Sequence, residues 1–233
     1  MAAVVEPAAV DLVIPVKPLW AAKSRLRGAA GADPAAHTRL ALSLALDTIA
    51  AARVARRVRR LLVMSTDAVV AAGLAAVGVT VEPDGPVPGL NPALEHGAAL
   101  LRARDGDGAV GALQADLPAL TADELDGAVE QALGAFAAGD ADRAFCADAA
   151  LTGTTLLLAA PRARLAPQFG RGSADRHRRS GARELVGAWP GLRRDVDTAD
   201  DLRRAGELGL GAHTKAVLDA LASADPTVHA ARK

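Results

Sequence analysis

Three aspartates stand at two places where the chain is expected to leave a strand. Asp116 follows the short apolar run Val110–Leu113, and Asp195 and Asp197 are spaced two apart, which puts them on the same side of an extended segment. In open α/β sheets, ligands bind beyond the carboxyl ends of the strands. Mg²⁺ is a hard cation that prefers carboxylate and phosphate oxygens. The three aspartates therefore predict a Mg²⁺ site and favour nucleotidyl transfer as the reaction class.

Turn and helix capping offer another interpretation of the same aspartates. An Asp after a strand often stabilises the turn that follows, and Asp197 stands directly before Thr198, where a helix could begin. Solvated Asp pairs such as Asp195 and Asp197 are also common on protein surfaces. Both interpretations fit these residues alone, and two loops that could bind phosphate favour the metal site.

The loop after the first predicted strand carries three cations, Lys17, Lys23 and Arg25. At the carboxyl end of a strand these side chains could neutralise a triphosphate. An exposed loop with scattered basic residues is the alternative. The chain contains no Walker A sequence, so a P-loop does not explain these cations.

A second loop, residues 168–177, combines Gly170, Gly172 and Ser173. The glycines allow the backbone to turn its N–H groups towards one point, and Ser173 is expected to begin a helix. Such a combination makes a phosphate cradle. A serine N-cap after a glycine turn is the alternative.

A third loop, residues 83–91, is rich in proline and glycine and ends in Gly89, Leu90 and Asn91. Its prolines restrict the backbone, while Gly85 and Gly89 permit close approach by a ligand. Fixed backbone N–H groups here could select the O6 acceptor of guanine over the amino group of adenine. Alternatively, the loop is a rigid connector to a helix for which Asn91 is the predicted N-cap and the next residue, a proline, the first helical position.

Composition excludes several classes of protein. Hydrophobic residues make up 51% of 233 residues, which is ample for a buried core, and the formal net charge is zero. Zero net charge argues against broad binding of nucleic acid or anionic membranes, and 2% aromatic content argues against a base-stacking platform. The only cysteine, Cys146, is predicted to lie in a buried strand. Because no secretion signal or membrane span is visible, we expect a cytoplasmic protein.

Strands and helices alternate along the chain, which implies a mainly parallel sheet with helices on both faces. The predicted strands cover 11–16, 60–65, 79–82, 110–113, 143–147 and 154–159. The predicted helices cover 34–54, 67–77, 91–104 and 122–138, the first with Leu42, Leu46 and Ile49 on one stripe. We expect a single domain over 1–233, with a nucleotide-binding half at about 10–138 and an acceptor-binding half at about 139–212.

Seven short motifs occur in order along the chain: VIPVK at 13–17, KSRL at 23–26, GLN at 89–91, QADLP at 114–118, GTTL at 153–156, FGRGS at 169–173 and DVDT at 195–198. In this set the chain resembles the phosphoenolpyruvate and 2-phospho-L-lactate guanylyltransferases of coenzyme F420 biosynthesis. The resemblance implies the Rossmann-like α/β fold of nucleotide-diphospho-sugar transferases, a three-layer sandwich with a mostly parallel mixed sheet. It also implies an enzyme that joins GTP to phosphoenolpyruvate and releases pyrophosphate. Archaeal relatives are associated with 2-phospho-L-lactate and others with 3-phosphoglycerate.

The resemblance also implies roles for individual residues. Mg²⁺ would be held by Asp116, Asp195 and Asp197. The phosphate of phosphoenolpyruvate would be contacted by Thr155, Gly170 and Ser173. The triphosphate of GTP would face Lys17, Lys23 and Arg25, and its base or ribose would lie near Gly89, Leu90 and Asn91. Asp116, Lys17 and Lys23 would act in catalysis, although the first loop lacks the glycine-rich signature of the wider nucleotidyltransferase group.

Two other functions are compatible with these residues. A sugar-phosphate nucleotidyltransferase would turn over sugar-1-phosphates and ignore phosphoenolpyruvate. A catalytically silent regulator would bind GTP without releasing pyrophosphate, which the three aspartates argue against. The resemblance further implies that the product passes to the next enzyme of F420 biosynthesis.

Overall fold

A computed structural model describes residues 9–18, 26, 33–106 and 108–224. Lys23 and Arg25, two of the expected triphosphate contacts, lie outside this part of the chain. The described strands are β1 Val10–Pro15, β2 Val58–Met64, β3 Thr80–Glu82, β4 Val110–Leu113, β5 Arg143–Ala147, β6 Thr154–Ala159 and β7 Arg183–Glu184. The described helices are α1 Pro34–Val54, α2 Ala68–Ala75, α3 Leu90–Asp105, α4 Ala122–Ala137, α5 Ser173–Arg179, α6 Pro190–Arg193, α7 Ala199–Leu208 and α8 Ala212–Ala224.

The strands form one sheet in the order β3-β2-β1-β4-β6-β5-β7. Every pairing is parallel except those of β6, which runs antiparallel to both β4 and β5. Its first residues therefore lie at the edge where its neighbours end, with Leu156 opposite Leu113 and Thr154 opposite Ala147. The mostly parallel mixed sheet is confirmed, and its one reversed strand brings the start of β6 to the ligand-binding edge.

Alternate residues of β1 face two separate cores, because successive side chains of a strand point to opposite faces. Leu12 and Ile14 belong to the core that α1, α2 and α4 cover, and Val13 belongs to the core that α3 and α5 cover. Helices therefore lie on both faces of the sheet, which is the predicted three-layer arrangement.

Helix α1 has the predicted bounds, and its start is explained by local chemistry. The carboxylate of Asp33 accepts hydrogen bonds from the amides of Ala35 and Ala36, and Pro34 occupies the first turn. The predicted stripe of Leu42, Leu46 and Ile49 packs against the sheet-side core. The helix also buries a second face under α8, which the strand–helix pattern did not predict.

The prediction that Asn91 caps α3 is wrong. The helix begins at Leu90, its N-cap is Gly89 with φ of 120°, and the cap makes no side-chain hydrogen bond. Asn91 lies inside the first turn, where its side chain is available for contacts elsewhere. Gly89 suits the cap position because a side chain is strained at this φ.

Cys146 is fully buried in β5, as the sequence predicts, and burial raises the pKa of its thiol. A buried protonated thiol is a poor nucleophile. Within the described residues no helix is both long and apolar enough to span a bilayer.

Candidate active site

A cleft of about 850 Å³ opens at the edge of the sheet where β1 and β4 end and β6 begins. Seven of the predicted site residues line it: Lys17, Leu90, Asp116, Gly170, Ser173, Asp195 and Asp197. Three others that the structure describes, Gly89, Asn91 and Thr155, do not line it. The fold thus gathers residues from the first, middle and last parts of the chain around one opening.

Asp116 is held from both sides by one buried hydroxyl. Thr48 Oγ1 of α1 accepts a hydrogen bond from the amide of Leu117 at 2.9 Å, and its single proton is shared between the carbonyls of Leu44 at 3.0 Å and Ala115 at 3.1 Å. The side chain of Thr48 is fully buried. The loop after β4 is therefore fixed around Asp116, one of whose carboxylate oxygens, Oδ1, is shielded from solvent.

Asp195 and Asp197 are brought to Asp116 by the residue between them. The amide of Val196 donates to the carbonyl oxygen of Asp116 at 3.0 Å, and the side chain of Val196 is fully buried. The flanking aspartates consequently face the cleft from the same extended segment.

Helix capping does not account for Asp197. The N-cap of α7 is Thr198, which forms a reciprocal capping box with Asp201. Asp197 precedes this cap, is exposed, and donates its own amide to Asp201. Capping of α7 by Asp197, one of the alternatives from the sequence, is therefore wrong.

The donor set at this end of the cleft fits a divalent cation with oxygen ligands. Within the described residues no three His, Cys, Asp or Glu side chains converge tightly enough to enclose a metal ion by themselves. Mg²⁺ is usually held by only one or two carboxylates, with water and substrate phosphates as the remaining ligands. Carboxylates spread along a cleft wall can supply one or two such ligands.

The charge of the cleft also favours a bound divalent cation. Among the described lining residues, four carboxylates stand against the two cations Lys17 and Arg171. One of the four, Asp148, already accepts hydrogen bonds from two backbone amides and therefore has a structural role. An acidic wall repels phosphates, and a bound divalent cation inverts that local field.

Across the cleft, residues 169–173 present backbone amides. Gly170 and Gly172 have φ of 118° and 73°, which bend the chain so that consecutive peptide groups turn. The amide of Ser173 bonds the carbonyl of Gly170, whereas no hydrogen bond from the amides of Gly170, Arg171 or Gly172 is found within the described part of the chain. Such a run of unengaged N–H groups is a concavity suited to an anion.

Ser173 is not the N-cap of α5. The cap is Gly172, which makes no side-chain cap bond, and Ser173 is the first helical residue, 1% exposed and on the cleft wall. Helix capping therefore does not explain its hydroxyl.

Side chains behind this loop fix its shape. The guanidinium of Arg176 donates to the carbonyl of Gln168 at 2.9 Å and to that of Arg171 at 2.5 Å. The side-chain amide of Asn91 donates to the carbonyl of Phe169 and accepts from its amide. Carbonyl oxygens are thus drawn away, which suits the loop to anions rather than cations.

The sequence analysis missed Asp148, which follows β5. Its two carboxylate oxygens accept the amides of Thr152 at 2.9 Å and Gly153 at 2.8 Å, and it lines the cleft. A Cβ on Gly153 would come within 2.4 Å of Asp148 Oδ2, so any other residue there would displace the carboxylate. An Asp at a strand end, with Thr-Gly four and five residues later, is the signal that could have revealed this turn.

The two threonines that begin β6 lie differently. Thr155, expected to contact phosphate, is 1% exposed, and its hydroxyl is directed at the carbonyl of Cys146 at 3.5 Å. Thr154 lines the cleft instead, and its Oγ1 lies 2.9 Å from Nδ1 of the buried His177. The sequence offered no spacing that links Thr154 to His177.

Comparison with known proteins places the chain among nucleotidyltransferases. No family model matches it. A protein of Geodermatophilus obscurus named phosphoenolpyruvate guanylyltransferase is 51% identical over 211 residues, which are 89% of this chain and 93% of that relative. A second protein of that name, from Streptomyces scabiei, is 53% identical over 210 residues, covering 88% and 94% of the two chains.

Solved structures support the fold. A Desulfovibrio desulfuricans protein, assigned by name to the nucleotide-diphospho-sugar transferases, matches with a TM-score of 0.63 at 16% identity over 92% of this chain and 97% of its own. The Mycobacterium tuberculosis protein Rv0371C, solved as a complex with manganese, matches with a TM-score of 0.50 at 20% identity over 86% and 99%. At these identities the likeness concerns the fold alone.

Proposed function

The chain belongs to the phosphoenolpyruvate guanylyltransferase family, and we propose that it takes the guanylyl group from GTP, uses Mg²⁺, and serves coenzyme F420 biosynthesis. The enzyme is a nucleotidyltransferase whose acceptor is phosphoenolpyruvate. Its products are enolpyruvyl-2-diphospho-5′-guanosine and pyrophosphate. The observation that carries the proposal is the composition of the cleft, which opposes three aspartates to the unengaged amides of residues 170–172.

Asp116, Asp195 and Asp197 are the proposed metal ligands, of which one or two would contact the ion directly and the rest through water. The main-chain bond between Val196 and Asp116 and the clamp by Thr48 support a fixed arrangement of these carboxylates. When bound, Mg²⁺ supplies charge neutralisation of the reacting phosphates. The complex of a fold relative with manganese is compatible with a divalent cation in this fold.

The acceptor is proposed to bind on the opposite wall. The amide of Gly170 and the hydroxyl of Ser173 would contact the phosphate of phosphoenolpyruvate, since both residues line the cleft beside unengaged N–H groups. Thr155 lies behind that wall, so its proposed contribution is to shape the start of β6, where its own carbonyl accepts the amide of Gln114.

The nucleotide is proposed to lie between β1 and the first turn of α3. Lys17, exposed at the end of β1, would approach the triphosphate together with Lys23 and Arg25. Leu90 lines the cleft and would contact the base or ribose, with the backbone of Gly89 and Asn91 next to it. Amides in the first turn of a helix lack partners inside the helix, which suits them to a polar ligand edge.

The reaction proposed for this arrangement is an in-line displacement. A phosphate oxygen of phosphoenolpyruvate forms a bond to the α-phosphorus of GTP while the bond to the β-phosphate oxygen breaks, and pyrophosphate leaves with that electron pair. The attacking oxygen is already ionised at neutral pH, so the protein needs no general base. GTP and phosphoenolpyruvate are both polyanions and would otherwise repel each other. They would be aligned by Lys17, Lys23 and the acceptor loop, residues 169–173.

Pyrophosphate release with a panel of substrates tests the proposal. Purified protein with Mg²⁺ is offered GTP, ATP, CTP or UTP, each with phosphoenolpyruvate, 2-phospho-L-lactate, 3-phosphoglycerate or a sugar-1-phosphate. The expected result is fastest release with GTP and phosphoenolpyruvate. Preference for a sugar-1-phosphate, or equal use of ATP, would contradict the proposal, and a preference for another three-carbon acid would correct its acceptor.

The product carries a diphosphate bond next to an enolpyruvyl group and is expected to be labile. We therefore place the enzyme in the cytoplasm, where the next enzyme of F420 biosynthesis can take over the product. Adding that enzyme to the assay should raise the yield of stable product without changing the initial rate of pyrophosphate release.

A further inference from the structure

His177 is enclosed completely, and both of its ring nitrogens are engaged. The residue is 0% exposed, and its ring lies 5.8 Å from the ring centre of Phe145 and 5.3 Å from that of Phe169. Nδ1 lies 2.9 Å from Thr154 Oγ1, and Nε2 lies 2.9 Å from the amide nitrogen of Gln168. The imidazole thereby joins the start of β6 to the loop of residues 168–173, which forms the proposed acceptor wall.

The amide of Gln168 fixes the tautomer of His177. A backbone N–H can only donate, so Nε2 must accept and carries no proton. The proton of the neutral ring is consequently on Nδ1, which donates to Thr154 Oγ1. A doubly protonated ring would oppose two donors at Nε2, and burial with the charges of Arg176 and Arg143 lowers the pKa of His177 to about 4.

This tautomer determines the direction of the Thr154 hydroxyl proton. A hydroxyl has one proton to donate, and the lone pair facing His177 is occupied by the incoming Nδ1–H. No other hydrogen bond of Thr154 Oγ1 is found within the described part of the chain, and Thr154 lines the cleft. The proton therefore points away from His177, and a ligand oxygen in the cleft that Thr154 lines could accept it.

We propose that Thr154 is a further acceptor-binding residue, whose hydroxyl donates to an anionic oxygen of the phosphorylated three-carbon acid, and that His177 is the positioning residue that orients this hydroxyl. The proposal rests on the function proposed above and extends its acceptor site. The ligand group is the phosphate or the carboxylate of the acceptor, because both are anionic oxygens that the same donor can reach.

The position of Thr154 supports this role. It begins β6, directly opposite Ala147, on the edge of the sheet where Gly170 and Ser173 line the same cleft. Its side chain is only 6% exposed, so a hydrogen bond to a charged oxygen there is poorly solvated and strong. The amides of residues 170–172 and the hydroxyl of Thr154 would then contact one anion from two sides.

Steady-state kinetics of isosteric variants test the proposal. Thr154→Val removes the hydroxyl and keeps the shape, and we expect it to raise the Michaelis constant for phosphoenolpyruvate about 10- to 100-fold, the loss for a hydrogen bond to a charged group, with little change for GTP. Thr154→Ser keeps the hydroxyl and should remain close to wild type. Thr80→Val, at an exposed position of β3, is the matched control.

Variants of His177 separate its two contacts. In His177→Gln the side-chain oxygen can still accept the amide of Gln168, while the donor to Thr154 is lost; in His177→Asn the reverse holds. We expect His177→Gln to raise the Michaelis constant for phosphoenolpyruvate several-fold, because the hydroxyl proton of Thr154 is no longer oriented. Combined with Thr154→Val it should add nothing further to that constant, because His177 acts on the acceptor through Thr154.

The outcomes are distinguishable. An active wild-type enzyme with an unchanged constant for phosphoenolpyruvate in Thr154→Val would overturn the role of Thr154. Additive effects of the two substitutions, at equal thermal stability, would overturn the positioning role of His177. Wild type inactive with every three-carbon acid would overturn the proposed function, and this inference with it.

Discussion

Asn91 and Phe169, which stand far apart in the chain, pair through both polar groups of the asparagine side chain. Asn91 Nδ2 donates to the carbonyl oxygen of Phe169 at 3.2 Å, and Asn91 Oδ1 accepts its amide at 2.8 Å. Asn91 lies in the first turn of α3, beside the proposed nucleotide site, and Phe169 begins the proposed acceptor wall. The pair therefore ties the two halves of the cleft together.

We expect Asn91→Ala to weaken the acceptor site more than the nucleotide site. The substitution leaves the amide and carbonyl of Phe169 without their partner, which costs about 1–3 kcal/mol of folding stability. The Michaelis constant for phosphoenolpyruvate should rise more than that for GTP, measured by pyrophosphate release. A selective rise for GTP would show instead that the side chain serves the nucleotide.

Thr48→Val should lower both stability and turnover. Valine has the shape of threonine but can neither accept the amide of Leu117 nor donate to the carbonyls of Leu44 and Ala115, and Leu117 and Ala115 flank Asp116. The expected loss is about 1–3 kcal/mol in the free energy of unfolding, with a lower kcat. Thr48→Ser, which keeps the hydroxyl, is the control and should lie near wild type in urea denaturation and in kcat.

Asp116→Asn and Asp195→Asn should abolish turnover while the protein stays folded, because both side chains line the cleft rather than the core. Calorimetric titration of Mg²⁺ in the presence of GTP should show weaker binding in both variants. Asp200→Asn, an exposed aspartate of α7, is the control. Chelation should inactivate wild type and added Mg²⁺ should restore it; full activity in chelator would rule out the metal site.

Gly153→Ala should damage the turn after β5. The added Cβ would meet Asp148 Oδ2 at 2.4 Å, so the carboxylate must give up the amides that it accepts. We expect a lower melting temperature and weaker acceptor binding. Gly134→Ala provides a control, since no atom lies within 4 Å of a Cβ there. Alanine inside α4 should stabilise by up to about 1 kcal/mol.

His177 should give the protein a pH-dependent stability. Burial, with Arg176 and Arg143 nearby, lowers its pKa to about 4 in the folded state, from 6.5 when unfolded. The unfolded state therefore binds more protons between these values, so this contribution is complete above pH 6.5 and is lost as the pH falls through about 4. The full difference is about 3 kcal/mol.

Urea denaturation between pH 7.5 and 4 measures this effect against His177→Gln. The free energy of unfolding of wild type should fall more steeply with acid than that of the variant. Equal slopes would mean that His177 has the same proton affinity in the folded and unfolded chain.

Local patterns predicted much of the fold. The bounds of α1, β4, β5 and β6 were predicted correctly, because apolar runs and the proline after Asp33 mark them in the sequence. Helix α8 was not predicted, since its place depends on packing against α1. Its docking is also tertiary in origin, as Asp47 of α1 accepts the amides of His213 and Thr214.

The candidate site was predicted where single residues carry the signal. Asp116 and Asp195, singled out by the strand-end argument, and Ser173, singled out by the glycine-rich loop, all line one cleft. The hydrogen bonds of Thr48 and of His177 could not be predicted from residue spacing, because each joins segments that only the fold brings together. Such contacts leave no periodicity in the sequence.

The bond from the amide of Val196 to the carbonyl of Asp116 has a consequence during synthesis. All seven described strands precede Val196 in the chain. A nascent chain that has emerged from the ribosome only to β7 therefore carries the whole sheet and the acceptor loop, but lacks two of the three carboxylates. Translation would thus complete the sheet and the proposed acceptor loop first, and a chain that ends before Asp195 would lack two of the three proposed metal ligands.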